Sequence, residues 1–291
     1  MQDKLITKKT SLNFRGKLED INDLKIMGIL NLTPDSFYDG GVNTTLEVAI
    51  KNVKKMLHDG ADIIDIGAYS SRPGAKKISI QEEIDRLMPV ISALIKEIPQ
   101  IKISVDTFRS KVAKEAIEQG ALMINDISAG DLDSNMWATV AQAKVPYVAM
   151  HMQGTPQNMQ SSPAYNHLLE DILLDLSTKV AGMKSAGIMD IIIDPGFGFG
   201  KTLVDNYELM RNLRSFELLG FPILVGISRK SMIYNLLHCS PEESLNGTTV
   251  LNTLALSNGA DILRVHDVKQ AKETLTIFEK VSEPFGNPTI K

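Results

Sequence analysis

Eight short apolar runs punctuate the chain: Lys25–Leu32, Ala61–Ala68, Lys102–Thr107, Leu122–Ser128, Pro146–Met152, Asp190–Gly196, Pro222–Ser228 and Asp261–Val268. They are rich in Ile, Val, Leu and Met and lack strict polar–apolar alternation. Strands covered on both faces read this way, as in a parallel sheet. Between the runs the period lengthens. Leu46, Ala49, Val53, Met56 and Leu57 recur at steps of three and four, as do Leu169, Ile172, Leu173, Leu176, Val180 and Met183. Each set predicts one buried helix face. Ser240-Pro241-Glu242-Glu243 predicts a helix start, with a capping serine, proline at the first helical position and a reciprocal glutamate. Strands alternating with helices imply parallel pairing through right-handed crossovers, and eight such units predict a single-domain α/β (β/α)8 TIM barrel over residues 25–283. An open doubly wound sheet is the alternative, but no GxGxxG turn follows the first run. Residues 1–24 form an N-terminal segment in which 10–16 predicts an extra strand plugging the barrel bottom, and residues 284–291 form a tail.

Composition narrows the partners rather than the fold. The 291 residues carry a net charge of −4, with 43% hydrophobic and 23% charged positions. No basic face for nucleic acid or an anionic membrane is expected from that balance. A chain of this size buries enough surface to stand without a disulfide or metal staple. Cys239 is the one cysteine, so no internal disulfide forms, which fits a reducing, cytoplasmic setting. It reads as a small, partly buried hydrophobe rather than a nucleophile. The N-terminus lacks an apolar run of signal-peptide length, and no stretch of about 18 apolar residues predicts a membrane span.

The informative polar residues sit where the apolar runs stop. In order they are Asn31, Asp65, Asp106, Asn125 with Asp126, His151, Asp194, Ser228 with Lys230, and Arg264 with His266. An unpaired charge at the end of an apolar strand costs several kcal/mol or more, so eight such endings need a reason. In a barrel they converge on one mouth, where the βα loops build active sites. Asp65 and Asp126 read as caps or rim hydrogen-bonders, whereas Asp106, Asp194, Arg264 and His266 read as functional.

At these positions the chain resembles a known family. MGILNLTPDSFYDGG (27–41), DIGAYSSRPGA (65–75), SVDTFRSKVAKEAIEQGALMINDISAG (104–130), MHMQGTPQNMQ (150–160), DPGFGFGKT (194–202), GISRKSMI (226–233) and RVHDV (264–268) resemble, in order, the signatures of dihydropteroate synthases. The resemblance runs from about residue 25 to 281. It implies condensation of 6-hydroxymethyl-7,8-dihydropterin pyrophosphate with 4-aminobenzoate, giving 7,8-dihydropteroate and pyrophosphate in folate biosynthesis. It also implies Mg2+, a homodimer joined through the last helices, and inhibition by sulfonamides. The second signature departs from the family's common Gly-Glu-Ser-Thr: here stand Ala68-Tyr69-Ser70-Ser71, which predicts different packing of the second loop.

Residue roles follow from the resemblance. Asp106, Lys230 and Asp35 are the expected catalytic groups. Asp106, Asn125, Asp194, Lys230, Met150 and Phe199 are expected around the pterin, whose guanine-like edge suits a carboxylate accepting two N–H groups. Asn31, Arg72, Arg264 and His266 are expected on the pyrophosphate, for which arginine offers bidentate donors, with Asn31 also the protein contact to Mg2+. Arg264 and His266 lie two apart on one predicted strand and so project to the same side. Phe37, Ser71, Pro73 and Ser228 are expected around 4-aminobenzoate. The first loop, Thr33 to Gly41, and the second read as lids that order around bound pyrophosphate and Mg2+, with the pterin substrate binding first. The segment Gly196-Phe197-Gly198-Phe199-Gly200-Lys201-Thr202 looks like a phosphate loop but lacks the GxxxxGK[ST] spacing; its glycines are expected to let backbone approach the flat pterin. No His/Cys set has zinc spacing. A folate-dependent methyltransferase on the same barrel would share Asp106, Asn125 and Asp194 but has no use for Ser71-Arg72-Pro73-Gly74, Lys230 or the Arg264/His266 pair. An inactive paralogue would have lost some of these positions, and none is lost here.

Overall fold

A computed structural model describes residues 8–21, 23–32, 42–70, 77–159 and 163–283. The first elements described are a hairpin of β1 (Ser11–Phe14) and β2 (Lys17–Asp20). Eight parallel strands then alternate with helices: β3 (Lys25–Asn31), α1 (Val42–His58), β4 (Ile63–Gly67), α2 (Ile80–Glu97), β5 (Ile103–Asp106), α3 (Ser110–Gln119), β6 (Met123–Asp126), α4 (Met136–Ala143), β7 (Tyr147–Met150), α5 (Leu168–Ser185), β8 (Ile191–Asp194), α6 (Leu203–Arg211), β9 (Leu224–Val225), α7 (Ser231–Leu237), α8 (Leu245–Ser257), β10 (Ile262–Val265) and α9 (Val268–Ser282). The sheet order is β8-β7-β6-β5-β4-β3-β10-β9. A bridge from Ile193 to Ile223 joins its two ends, closing the barrel. The eight apolar runs therefore became the eight barrel strands.

Period two explains the layering. Strand residues pointing outward, such as Ile26, Ile64, Ile103, Ile124 and Leu263, pack under the helices. There they meet the predicted stripes: Ala49 and Val53 of α1, and Ile172, Leu176, Val180 and Met183 of α5, are all buried. Each Ile, Leu, Val or Met among them contributes about 1.5–3 kcal/mol when fully buried. The inward residues Met27, Ile63, Met123, Val148, Ile192, Leu224 and Ile262 form a separate cluster at the N-terminal end of the barrel. Leu12, Phe14 and Ile21 of the hairpin segment pack onto that same cluster. The hairpin turn uses Arg15 and Gly16, both at positive φ (53° and 99°), as a tight two-residue β-turn requires. Lys9 pairs with Asp190 at 2.7 Å and anchors the segment to the residue that leads into β8.

The cap predicted at Ser240 forms: the Ser240 amide donates to Glu243 at 2.9 Å, and the Glu243 amide donates to Ser240 Oγ at 3.3 Å. Its first turn, Glu242–Ser244, is a 3-10 turn that leads into α8. Cys239 is half-buried.

Candidate active site

Two residues further along β4, β6, β8 and β10, the inward positions turn polar. After Met123 comes Asn125, after Ile192 comes Asp194, after Ile262 comes Arg264, and after Ile63 comes Asp65. Strand register aligns these ends across the barrel: Asn31 pairs with Gly67, Gly67 with Asp106, and Asp106 with Asn125. Gly67 has a local reason to lack a side chain, since a Cβ there would stand 3.3 Å from that of Asp106.

A continuous charged network results. Arg264 donates from Nε to Asp65 Oδ2 at 2.7 Å and from Nη2 to Asp106 Oδ2 at 2.8 Å. Asn125 Nδ2 donates to the same Asp65 oxygen at 2.9 Å. Asp65 is fully buried, and its other oxygen, Oδ1, has no hydrogen-bond partner among the described residues. Burial pushes the Asp106 carboxyl up to about 7, against the pull of Arg264 and with the help of Asp65. Burial also raises Asp194, which Lys230 and the Gly196 amide counteract. Lys230 is pushed down to about 8 by burial, opposed by Asp194. Its ammonium donates to Phe197 O at 2.6 Å and lies 4.7 Å from the centroid of the Phe199 ring.

Met150, Phe199, Ser228 and His266 are the other expected residues that the structure describes near this centre. Met150 and Phe199 belong to one apolar cluster at the mouth, with Ile127, Met152, Met159 and Phe108. Ser228 is buried, and its Oγ accepts the His266 amide at 3.2 Å and lies 3.1 Å from His266 Nδ1. β10 ends at Val265, so Arg264 lies on the strand and the exposed His266 lies just beyond it, a correction to their placement on one strand. Asp35, Phe37, Ser71, Arg72 and Pro73, with both lid loops, lie outside the described residues.

Several features escaped the sequence. Asp65 is not a cap: it joins the arginine of one expected subsite to the asparagine of another. The clue was its position, two residues before a glycine on the inward face. Asp126 does hold a turn, accepting from the Ser128 amide at 2.8 Å, the Gly130 amide at 2.9 Å and the Tyr147 hydroxyl at 2.6 Å. The glycines of the β8 loop answer to the protein itself. Gly196 and Gly200 have positive φ, and a Cβ would stand 1.8 Å from His151 O and 2.6 Å from Gln153 O, so the close approach is to the loop after β7. Tyr69, at the departing position of the second signature, meets Phe108 edge-on at 5.0 Å, lies beneath the Arg109 guanidinium at 5.1 Å and accepts from Gln157 Nε2 at 3.1 Å. Arg109 is itself fixed by the fully buried Glu83 at 2.7 Å.

A barrel mouth with a buried carboxylate, an amide, a lysine beside an aromatic face and an arginine defines an enzyme that holds a flat nitrogen heterocycle, and the family model of pterin binding enzymes matches residues 27–266. The chain is 41% identical over 278 residues to the dihydropteroate synthase of Escherichia coli (strain K12), covering 95% of each chain. It is also similar to two solved structures. One is the Yersinia pestis dihydropteroate synthase with a sulfonamide drug complex (TM-score 0.87, 41% identity, 93% of this chain and 98% of that one). The other is the Xanthomonas albilineans enzyme with 4-aminobenzoic acid (TM-score 0.88, 38% identity, 96% and 100%). The chain belongs to the dihydropteroate synthase family. Its activity is the family's transfer reaction in folate biosynthesis, which joins 6-hydroxymethyl-7,8-dihydropterin pyrophosphate to 4-aminobenzoate.

Proposed function

We propose that this transfer takes place between the Asp106–Arg264–Asp65–Asn125 network and Lys230, the one observation that carries the residue assignment. The 4-aminobenzoate nitrogen attacks the pterin methylene carbon as the carbon–oxygen bond to pyrophosphate breaks. The bond electrons leave with pyrophosphate, and the amine's surplus proton goes to solvent. The protein therefore has to stabilise charge rather than supply a covalent nucleophile. One oxygen of Asp194 holds the Gly196 amide at 2.8 Å, and the other takes pterin N–H groups together with Asn125. Lys230 exchanges Phe197 O for the pterin carbonyl and ring nitrogen, while Met150 and Phe199 flank the ring. Asp106 stabilises positive charge developing at the methylene, with Asp35 joining from the first loop. Arg264, His266, Asn31 and Arg72 take the pyrophosphate, and Arg264 does so by giving up part of its hold on two carboxylates. Ser228, Ser71, Phe37 and Pro73 hold 4-aminobenzoate.

The donor set fits Mg2+. Asn31 ends β3 with a hard amide oxygen, and among the described residues no group of three or more His, Cys, Asp or Glu could form a metal cage. An ion here would be held by Asn31, phosphate oxygens and water, and when bound it neutralises charge on the leaving group. A sulfonamide occupies the 4-aminobenzoate site as a mimic, a reading supported by the complex of the similar Yersinia pestis enzyme. Val250 and Leu254 of α8 and Ile277 and Val281 of α9 are exposed and apolar, which supports a homodimer through this face. The low net charge argues against a nucleic-acid partner. No described helix is long and apolar enough to cross a membrane. A folate-synthesis enzyme with one free cysteine fits the cytoplasm.

The test is formation of labelled dihydropteroate from pterin pyrophosphate, labelled 4-aminobenzoate and Mg2+, with and without Lys230→Ala. Robust product that collapses in the variant is expected. Full activity in Lys230→Ala would remove the assignment.

A further inference from the structure

The β8 loop, Gly196–Gly200, carries the aromatic face and the carbonyl that meet Lys230, and what shapes it lies beneath it. Lys201 is only 2% exposed. Its ammonium lies 2.9 Å from Gly196 O, 3.1 Å from Phe199 O and 3.0 Å from His151 Nδ1. Burial pushes Lys201 down to about 7, opposed by Asp194; in its protonated form the ammonium has three protons and no acceptor, so these three contacts satisfy it completely. The network assigns His151 as the acceptor through Nδ1, which places its proton on Nε2. Burial, with the charges of Lys201 and Lys179, pushes His151 down to about 2 and keeps it neutral. The other loop groups are also engaged: Asn206 Oδ1 accepts the Gly198 amide at 2.7 Å, and the Tyr165 hydroxyl donates to Gly200 O at 2.7 Å.

We propose that Lys201 is a positioning residue for the pterin half of the reaction. From below, it ties the loop's two ends together, so that Phe199 presents its ring to the pterin and Phe197 O stands where Lys230 can rest. Two lysines thus grip one loop from opposite sides, Lys201 through Gly196 O and Phe199 O, Lys230 through Phe197 O. A charge is suited to this task because one ammonium binds two carbonyls and an imidazole at once, and no neutral side chain of that length offers three donors. This inference rests on the assignment of Asp194, Lys230 and Phe199 to the pterin.

Lys201→Met keeps the buried stem and removes the donors. It is expected to raise the KM for pterin pyrophosphate about tenfold or more, because a displaced loop misplaces two of the groups around the ring. The KM for 4-aminobenzoate at saturating pterin is expected to stay within about twofold. A merely structural lysine would lower the Tm and the active fraction without separating the two KM values, and that result overturns the proposal. Lys201→Gln leaves a neutral side chain with two donors but loses the third donor and the charge that bridge Gly196 O and Phe199 O. It supplies the decision should Lys201→Met not fold: a pterin-selective rise in KM supports the proposal, and two unchanged KM values refute it. Asp194→Asn serves as the control for the underlying assignment. If it leaves the pterin KM unchanged, the subsite reading fails and the proposal falls with it. If it raises that KM while Lys201→Met does not, the positioning role alone is refuted.

Discussion

Replacing Asp65 by asparagine probes the centre of the mouth with almost no change in volume. The carboxylate is completely buried, and one oxygen takes both Arg264 Nε at 2.7 Å and Asn125 Nδ2 at 2.9 Å. In the variant the amide oxygen still accepts both donors, but without charge. Hydrogen bonds to charged groups contribute about 1.5–3 kcal/mol and neutral ones about 0.5–1.5, so the Asn125 bond loses about 1 kcal/mol, and the Arg264 bond, still made by a charged donor, loses the attraction of opposite charges, about 1 kcal/mol more. The new NH2 occupies the place of Oδ1, which has no partner among the described residues, and adds a donor that none of them satisfies. Arg264 keeps Asp106 at 2.8 Å, so the guanidinium is not orphaned and the larger cost of a wholly unpaired buried charge does not arise. The expected stability loss is about 2–3 kcal/mol, read from urea or guanidinium midpoints at an unchanged slope. Because Arg264 and Asn125 both lose their fixed acceptor, kcat/KM for pterin pyrophosphate is expected to fall about 10- to 100-fold, tenfold for each 1.36 kcal/mol. Wild-type stability together with wild-type kcat/KM in Asp65→Asn would refute the claim that this carboxylate orients either group.

Asp106 carries its charge only above about 7, and Lys230 its proton only below about 8. The profile of kcat/KM for the pterin substrate should therefore rise with pH through the first value and fall through the second, and Asp106→Asn should lose the acid limb; a flat profile from pH 5.5 to 9.5 would count against both roles. Asp126→Ala leaves the Ser128 and Gly130 amides and the Tyr147 hydroxyl without their acceptor, and should cost about 3 kcal/mol while leaving both KM values near wild type, as denaturation and kinetics together can show. Phe14→Ala opens a cavity at the end of the barrel opposite the mouth; about 3–5 kcal/mol of stability should go, with kcat per folded enzyme unchanged. Gly196→Ala forces a Cβ against His151 O at positive φ and should cost about 3 kcal/mol or more, a loss visible as a lowered Tm.

The fold was legible because its signal is redundant. Eight apolar runs, each followed by a period near 3.6, leave few topologies, and the runs coincide with the strands to within a few residues at either end. The mouth was legible for a related reason: Asp106, Asn125, Asp194 and Arg264 interrupt apolar runs where an unpaired polar group would be costly. What the sequence withheld were pairings between distant positions. Arg264 and Asp65 stand 199 residues apart, and nothing local to either says that they touch. Asp65 and Asp126 look alike in sequence, each an aspartate within or at the end of an apolar run. The structure separates them by face: Asp126 turns to the amides of its own loop and to Tyr147, Asp65 turns inward to Arg264 and Asn125. A shift of one residue along a strand reverses the side from which its side chain projects, so whether an aspartate becomes a cap or part of the site is decided by register. Lys201 shows the same limit from the other direction. Its segment looks like a phosphate loop without the spacing of one, and nothing in the sequence shows that its ammonium is spent on three internal acceptors. A lysine next to glycines therefore marks a phosphate site only where the fold leaves its donors unused.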